Sequence, residues 1–368
     1  MNYTTFSSQV ILNKSIFDFK AMKIEEENDL ISFLVEQGIF SLFFEGLKKN
    51  TQISLSQSVY LKLNSLVQVL KFVDDTRFQE YLQVHNLLNK KGVKFLILKG
   101  VALTFLEYPG EHMRPCADED ILIRMEDLDV TNEIFLELGF TKIPSPARKM
   151  SRFQITYSKI VYGKVECLID LHWKLSNNNQ YVESRNPLKG ISFLELWESS
   201  RNLDRLNGKT LSKKFAFVHA CLHLYGHHKY EIKMIWVYDI HLLISNHSNT
   251  FLTDCYNLAE RLDILLECSF GLYYSSIYFS TVISSQWVEQ IKKNKNIFFK
   301  SQIWMSEFSS DLRSLNDIVS KILFVGEHLF PTSEYMKRKY NFSFKIFLPW
   351  FYMIRMFSGF FKLFSKKI

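Results

Sequence analysis

Residues 93–123 read VKFLILKGVALTFLEYPGEHMRPCADEDILI, and the order of their parts decides the fold. VKFLIL is a short apolar run, more strand than helix by its length. Lys99-Gly100 follows it directly as a turn signal, and VALTFLEY has the length of a short helix ending at Pro109-Gly110. A loop with Arg114 and Pro115 then leads into DEDILI, a second short strand. Strand, turn, helix, loop and strand open a small α/β unit.

The flanking sequence extends that unit on its C-terminal side. DLDVTNEIFLELG predicts a helix with Asp127 as N-cap and Gly139 as its left-handed stop. RFQITYSKI and KVECLIDLHW predict an antiparallel pair of strands around Gly163. Upstream, TRFQEYLQVHNLLNKKG sets Phe78, Tyr81, Leu82, His85 and Leu88 on one helical face, with Gly92 as the stop. After the polar SNNNQ at 176–180, helical patterns return up to about residue 330. The expected fold class is α+β: a helical region at 1–92, a small mixed-sheet core at 93–175, a helical domain at 176–340 and a basic aromatic tail at 341–368.

Composition narrows the function classes. Apolar residues make up 47% and charged residues 23% of the 368, an ordinary globular balance that excludes a disordered chain. The net charge of +7 favours anionic partners without choosing among them, and the basic residues are spread along the chain. Their densest clusters are Lys337-Arg338-Lys339 and Lys366-Lys367. Five cysteines without a C-x-x-C pair suggest a reducing compartment, with neither disulfides nor structural zinc. The N-terminal stretch does not read as a signal peptide and no segment reads as a membrane span, so a cytoplasmic protein is expected.

Asp118 and Asp120 carry the strongest chemical signal. Alternation along a strand projects both carboxylates from one face, roughly 7 Å apart at Cα. Like charges so close raise the cost of ionising one another, and divalent cations would relieve it. A third acid fits: KVECLIDLHW puts Glu166, Leu168, Asp170 and His172 on one face, and Asp170 lies directly between Ile169 and Leu171. An acid inside an apolar strand needs a partner or a metal, and Glu166 is the second choice for that role. Gly100 at a strand-to-helix turn would let backbone N–H groups approach a phosphate. Lys99 and Arg114 would add positive charge for a polyphosphate.

This order resembles the nucleotidyltransferase superfamily that includes DNA polymerase beta. More narrowly, it resembles bacterial proteins of a nucleotidyltransferase family marked by Leu98-Lys99-Gly100, Arg114, Asp118-Glu119-Asp120-Ile121 and Asp170-Leu171-His172-Trp173. The likeness extends over roughly residues 30 to 340, including His219, His223, His227, Trp236 and Asp239. It departs in having no serine at the Lys99-Gly100 turn and in carrying Lys233 where an arginine is expected. The resemblance implies transfer of a nucleoside monophosphate from an NTP, ATP first among them, to an unidentified acceptor, with pyrophosphate leaving. It implies Mg²⁺ or Mn²⁺ at Asp118, Asp120 and Asp170, with Lys99, Gly100, Arg114 and His172 at the nucleotide. No nucleic-acid partner is expected. The rival class is a non-catalytic nucleotide-binding or scaffolding module in a biosynthetic assembly.

Other features weigh less. His219, His223 and His227 stack on one helical face, open to metal ligation, pocket lining or plain packing. His172 is open to orienting a carboxylate or phosphate, or to being a hydrogen-bonded core histidine. Asp239 reads as a buried acid paired with a basic residue of the helical body, and Cys116 as incidental. The tail's Phe342, Phe344, Phe347, Trp350, Phe351, Phe357, Phe360 and Phe361 suit either peripheral membrane contact or docking on the body.

Overall fold

The computed structural model describes residues 2–14, 24–50, 53, 55–144, 154–175, 191–228, 231–245, 247–298, 312, 318–341 and 345–355. Expectations for SNNNQ and for tail residues Phe342, Phe344, Phe357, Phe360 and Phe361 lie outside them, as does the side chain of His227. The architecture is α+β. Seven strands form the sheet: β1 (Phe95–Leu98), β2 (Glu119–Ile123), β3 (Thr141–Lys142), β4 (Gln154–Val161), β5 (Val165–His172), β6 (Arg201–Leu203) and β7 (Gly208–Thr210). Their order is β3-β4-β5-β2-β1-β7-β6. The sheet is mixed: β1 runs antiparallel to β2, while β2 with β5 and β1 with β7 are parallel.

The helices in chain order are α1 (Tyr3–Ile11), α2 (Ile24–Glu36), α3 (Phe40–Lys49), α4 (Gln57–Lys90), α5 (Lys99–Leu106), α6 (Leu128–Glu137), α7 (Phe193–Glu198), α8 (Lys213–His228), α9 (Met234–Ile244), α10 (Asn249–Arg261), α11 (Leu265–Phe279), α12 (Ser285–Phe298), α13 (Ile318–Leu329) and α14 (Ser333–Tyr340). None of the described helices is long and apolar enough to cross a membrane.

Strand alternation divides the interior into two cores. Phe95, Ile97, Ile121, Ile123, Ile169 and Leu171 face one side, where α4 contributes Tyr81, Val84 and Leu88 and α6 contributes Ile134 and Phe135. Leu96, Leu98 and Leu122 face the other, against Phe215, Val218, Ile235 and Tyr238 of α8 and α9. Burying each such side chain contributes about 1.5–3 kcal/mol, so a one-residue slip of β1 or β2 would cost several of them at once. On the second face the alternation leaves room for polar residues, and Asp120, Asp170 and His172 point there.

Several local readings hold. Gly92, Gly139 and Gly163 all adopt positive φ at the expected stops and hairpin. Asp127 is the N-cap residue of α6, but its carboxylate makes no cap bond and instead takes the guanidinium of Arg124 at 2.8 Å. The sheet, however, runs past residue 175. β6 and β7 lie in a stretch expected to be helical, and β7 pairs with β1 through Leu96 and Ile97. Three-residue strands are too short to show periodicity, although Asn207-Gly208 where the connection enters β7 is a hairpin signal, with Asn207 at φ 49°.

Candidate functional site

The site is built on the second sheet face, where β2 and β5 run parallel in a register that sets Asp120 opposite Asp170 and Leu122 opposite His172. Donor atoms of Asp120, Asp170 and His172 all lie within 4.8 Å of one another. His172 Nε2 is 2.8 Å from Asp120 Oδ1, and Lys99 Nζ donates to the same oxygen at 2.6 Å. Asp170 accepts from Thr156 Oγ1 at 2.5 Å and from Gln154 Nε2 at 3.2 Å, both on β4. Asp118 stands just before β2, half-buried, and acts on this group through its charge. Glu166, the second choice for the third acid, is exposed and accepts from Ser158 Oγ at 2.8 Å, away from the cluster.

Asp118 and Asp120 are not electrostatically alike. Burial raises the Asp118 carboxyl to about 6, helped by the charges of Asp120 and Asp170 and only partly opposed by Lys99 and Arg114. Burial pushes Asp120 up too, but Lys99 and His172 more than offset it and hold its carboxyl well below the usual range. Burial alone would lower Lys99; Asp120 chiefly, with Asp118 and Asp170, moves it upward instead. A fixed anion at Asp120 therefore sits beside an acid that ionises reluctantly. That is a cluster short of positive charge.

The Lys99-Gly100 turn is closely packed. Lys99 adopts φ 49°, an uncommon conformation for a side-chain-bearing residue, at the head of α5. A Cβ at Gly100 would fall 2.1 Å from Arg114 Nη1, so the glycine makes room for a guanidinium. Arg114 is buried and spends its fork on Asp239: Nε donates to Oδ1 at 2.8 Å and Nη2 to Oδ2 at 2.7 Å. Tyr108 Oη donates to Asp239 Oδ1 at 2.6 Å. Asp239 is thus a buried, paired acid as expected, but its partner comes from the loop before β2 rather than from the helical body. Cys116 is packed against the same guanidinium, and burial pushes its thiol up to about 11, far from a nucleophile.

Around this turn, Lys99, Arg114 and Asp239 share a pocket with His219, His223 and Trp236. Burial, followed by the charge of Lys99, pushes His219 down to about 3, so it is a neutral ring, and its Nε2 lies 3.1 Å from the Leu175 carbonyl. His228 stacks on Trp236 at 3.6 Å, and His223 meets the same indole edge-on at 6.0 Å. Lys233, in place of the expected arginine, sits 5.5 Å over that ring. His219 and His223 therefore line a pocket beside the carboxylates and belong to no metal-ligand group among the described residues.

Two polar pairs were missed by sequence reasoning. Glu119, between the two aspartates, points to the opposite face, fully buried, and faces His85 Nε2 of α4 at 3.1 Å. The other nitrogen of His85 lies 2.8 Å from the Leu206 carbonyl. Strand parity alone would have placed Glu119 in the core and demanded a partner for it. The second pair is Asp74 on α4 with His112, whose Nδ1 is 3.6 Å from Asp74 Oδ2. Neither carboxylate oxygen of Asp74 has a hydrogen-bond partner, and burial raises it to about 7. Nothing in the local sequence marks that residue as buried.

Comparison with known proteins adds the family. The model of a family described as uncharacterised nucleotidyltransferase matches residues 25–280, most of the chain. Comparison with curated proteins gives no match. Among solved structures, the crystal structure of an antigenic nucleotidyltransferase-like protein from Paracoccidioides brasiliensis is similar at 15% identity and a TM-score of 0.35. That similarity covers 58% of this chain and 95% of the other.

Proposed function

We propose, from the premise that this chain belongs to the uncharacterised nucleotidyltransferase family, that it moves a nucleoside monophosphate from an NTP to an acceptor. The observation that carries the reading is the parallel β2–β5 register, which brings Asp120 and Asp170 together beside Lys99. ATP is the first donor to try. The acceptor is a hydroxyl or phosphate on a small molecule, peptide or glycan.

The residues fit a divalent cation. Burial, with the charges of Asp120 and Asp170, pushes Asp118 to about 6, and Lys99 and Arg114 only partly oppose it. Oxygen donors of this kind suit Mg²⁺ or Mn²⁺. Asp120 and Asp170 would hold the ion, with Asp118 completing the set as it ionises. His172 donates to Asp120 and so orients that carboxylate. Bound cations would supply Lewis acidity toward the triphosphate and toward the attacking oxygen.

The chain's own groups would do the rest. Lys99, at the head of α5, steadies the phosphates as charge moves to the leaving pyrophosphate. Asp170 would accept the acceptor's proton, and the hydrogen bonds from Thr156 and Gln154 would fix its orientation. The acceptor oxygen bonds to the α-phosphorus, the bond from that phosphorus to the bridging oxygen breaks, and pyrophosphate departs. Arg114 serves indirectly: its fork is committed to Asp239, so it shapes the turn that presents Lys99.

The test uses NTPs radiolabelled at either the α- or the γ-phosphate, with Mg²⁺ and cell extract. Label from the α-position should appear on an acceptor, label from the γ-position should not, and Asp120→Asn should abolish transfer. Nucleotide binding without transfer in the wild type would instead support the non-catalytic module.

A further inference from the structure

The C-terminal part of the chain has a surface that the nucleotide site does not explain. Residues 335–368 contain eight Lys or Arg and no Asp or Glu; the other 334 residues hold 37 basic and 38 acidic side chains. Basic residues occur throughout, but the net surplus of +7 belongs entirely to this last segment.

The same segment exposes an apolar stripe. Residues 345–347 form a 3-10 turn that leads into a helix at 348–355. Its inward face is satisfied locally: Tyr352 Oη donates to the Pro331 carbonyl at 2.6 Å, and Phe351 stacks on Tyr340 at 5.0 Å. Arg355 lies 5.9 Å over the Tyr335 ring. Its outward face carries Ile346, Phe347, Trp350, Met353 and Ile354, at the spacing of one helical side. Ile346 is 83% and Trp350 62% exposed. Nearby α14 bears Lys337, Arg338 and Lys339 in its last turn.

We infer that this face docks onto the surface of an anionic lipid bilayer, with the 346–354 stripe in the acyl boundary and the basic residues at the headgroups. Helices that lie in a membrane interface combine a large apolar side, often with Trp, and flanking Lys or Arg. Each basic residue near such a surface strengthens binding several-fold. Nucleic acid fits less well, because it would not bury Ile346, Met353 and Ile354. A second copy fits less well too, since it would bring two such positive segments together. The described helix, 348–355, is too short to span, so in this reading it lies along the surface.

The experiment is co-sedimentation of the full chain with vesicles of phosphatidylcholine alone or mixed with phosphatidylglycerol. Binding to the mixed vesicles, weakened by salt and at least about thirtyfold poorer for Arg338→Glu/Lys339→Glu, is expected. Ile346→Asp/Trp350→Asp should abolish binding while its melting curve matches the wild type. Equal partition onto both vesicle types, or no partition at all, would overturn the inference. So would a wild-type dimer in size-exclusion chromatography that Trp350→Asp converts to monomer, because the stripe would then be a protein interface.

Discussion

Arg114 and Asp239 face each other as a buried two-point pair, with separations of 2.8 and 2.7 Å, joining the loop before β2 to helix α9. The pair binds the helical body to the strand that carries Asp120, and Gly100 packs against its guanidinium. A pair of this kind is costly to break from one side because the partner is left charged and buried. Arg114→Met should therefore lower stability by about 3–5 kcal/mol in urea unfolding, and Arg114→Met/Asp239→Leu should recover most of it. Equal loss in the single and double variants would contradict the pairing.

Gly100→Ala tests the same junction from the other side. Its new Cβ must displace a guanidinium nitrogen that lies 2.1 Å away, a crowding cost of about 1–3 kcal/mol. In an Arg114→Met background that cost should largely vanish, which a double-mutant cycle would reveal as strong coupling. Additive losses would mean that Gly100 is required for its backbone conformation instead.

Asp74 predicts a pH dependence. Burial raises its carboxyl to about 7 from an ordinary value of 3.8, so the folded chain holds a proton there that the unfolded chain releases. Stability associated with this group is present below about pH 4 and is lost as pH rises toward 7. Asp74→Asn should melt like the wild type at pH 4.5 and higher than it at pH 8, by no more than about 4 kcal/mol. Thermal melts at the two pH values decide it. A variant less stable at pH 8 would show that the ionised form is favoured.

Lys99 and a bound cation would compete for the Asp120 carboxylate. Lys99→Met removes the ammonium 2.6 Å from Asp120 Oδ1, so Mn²⁺ should bind at least as tightly as to the wild type while nucleotidyl transfer falls. Electron paramagnetic resonance of free Mn²⁺ reads the first effect and α-label transfer the second. Weaker Mn²⁺ binding would show that Lys99 organises the carboxylates and does not merely neutralise them.

Much of the core was legible because its signals are local. The four longest strand signals and the three glycine positions depend on neighbours in sequence, and alternation alone set Asp118 with Asp120 and Asp170 with His172. The parallel β2–β5 register that unites Asp120, Asp170 and His172 is a contact distant in sequence. What stayed hidden depends on distant partners. Arg114 reads as a phosphate ligand until Asp239, 125 positions away, takes both arms of its fork. His85 reads as one more position on an apolar helical face until Glu119 meets it. Strands β6 and β7 are too short to register except through Asn207-Gly208.

Asp120 and Asp170 are proposed to hold a catalytic cation on which an NTP is bound. This binding is tested most directly by crystals grown with Mn²⁺ and a non-hydrolysable NTP, using anomalous scattering to locate the metal. A Mn²⁺ peak touching carboxylate oxygens of both Asp120 and Asp170 is expected, with the triphosphate against Lys99 and the head of α5. Nucleotide bound elsewhere, or bound there with no metal at the two aspartates, would contradict it.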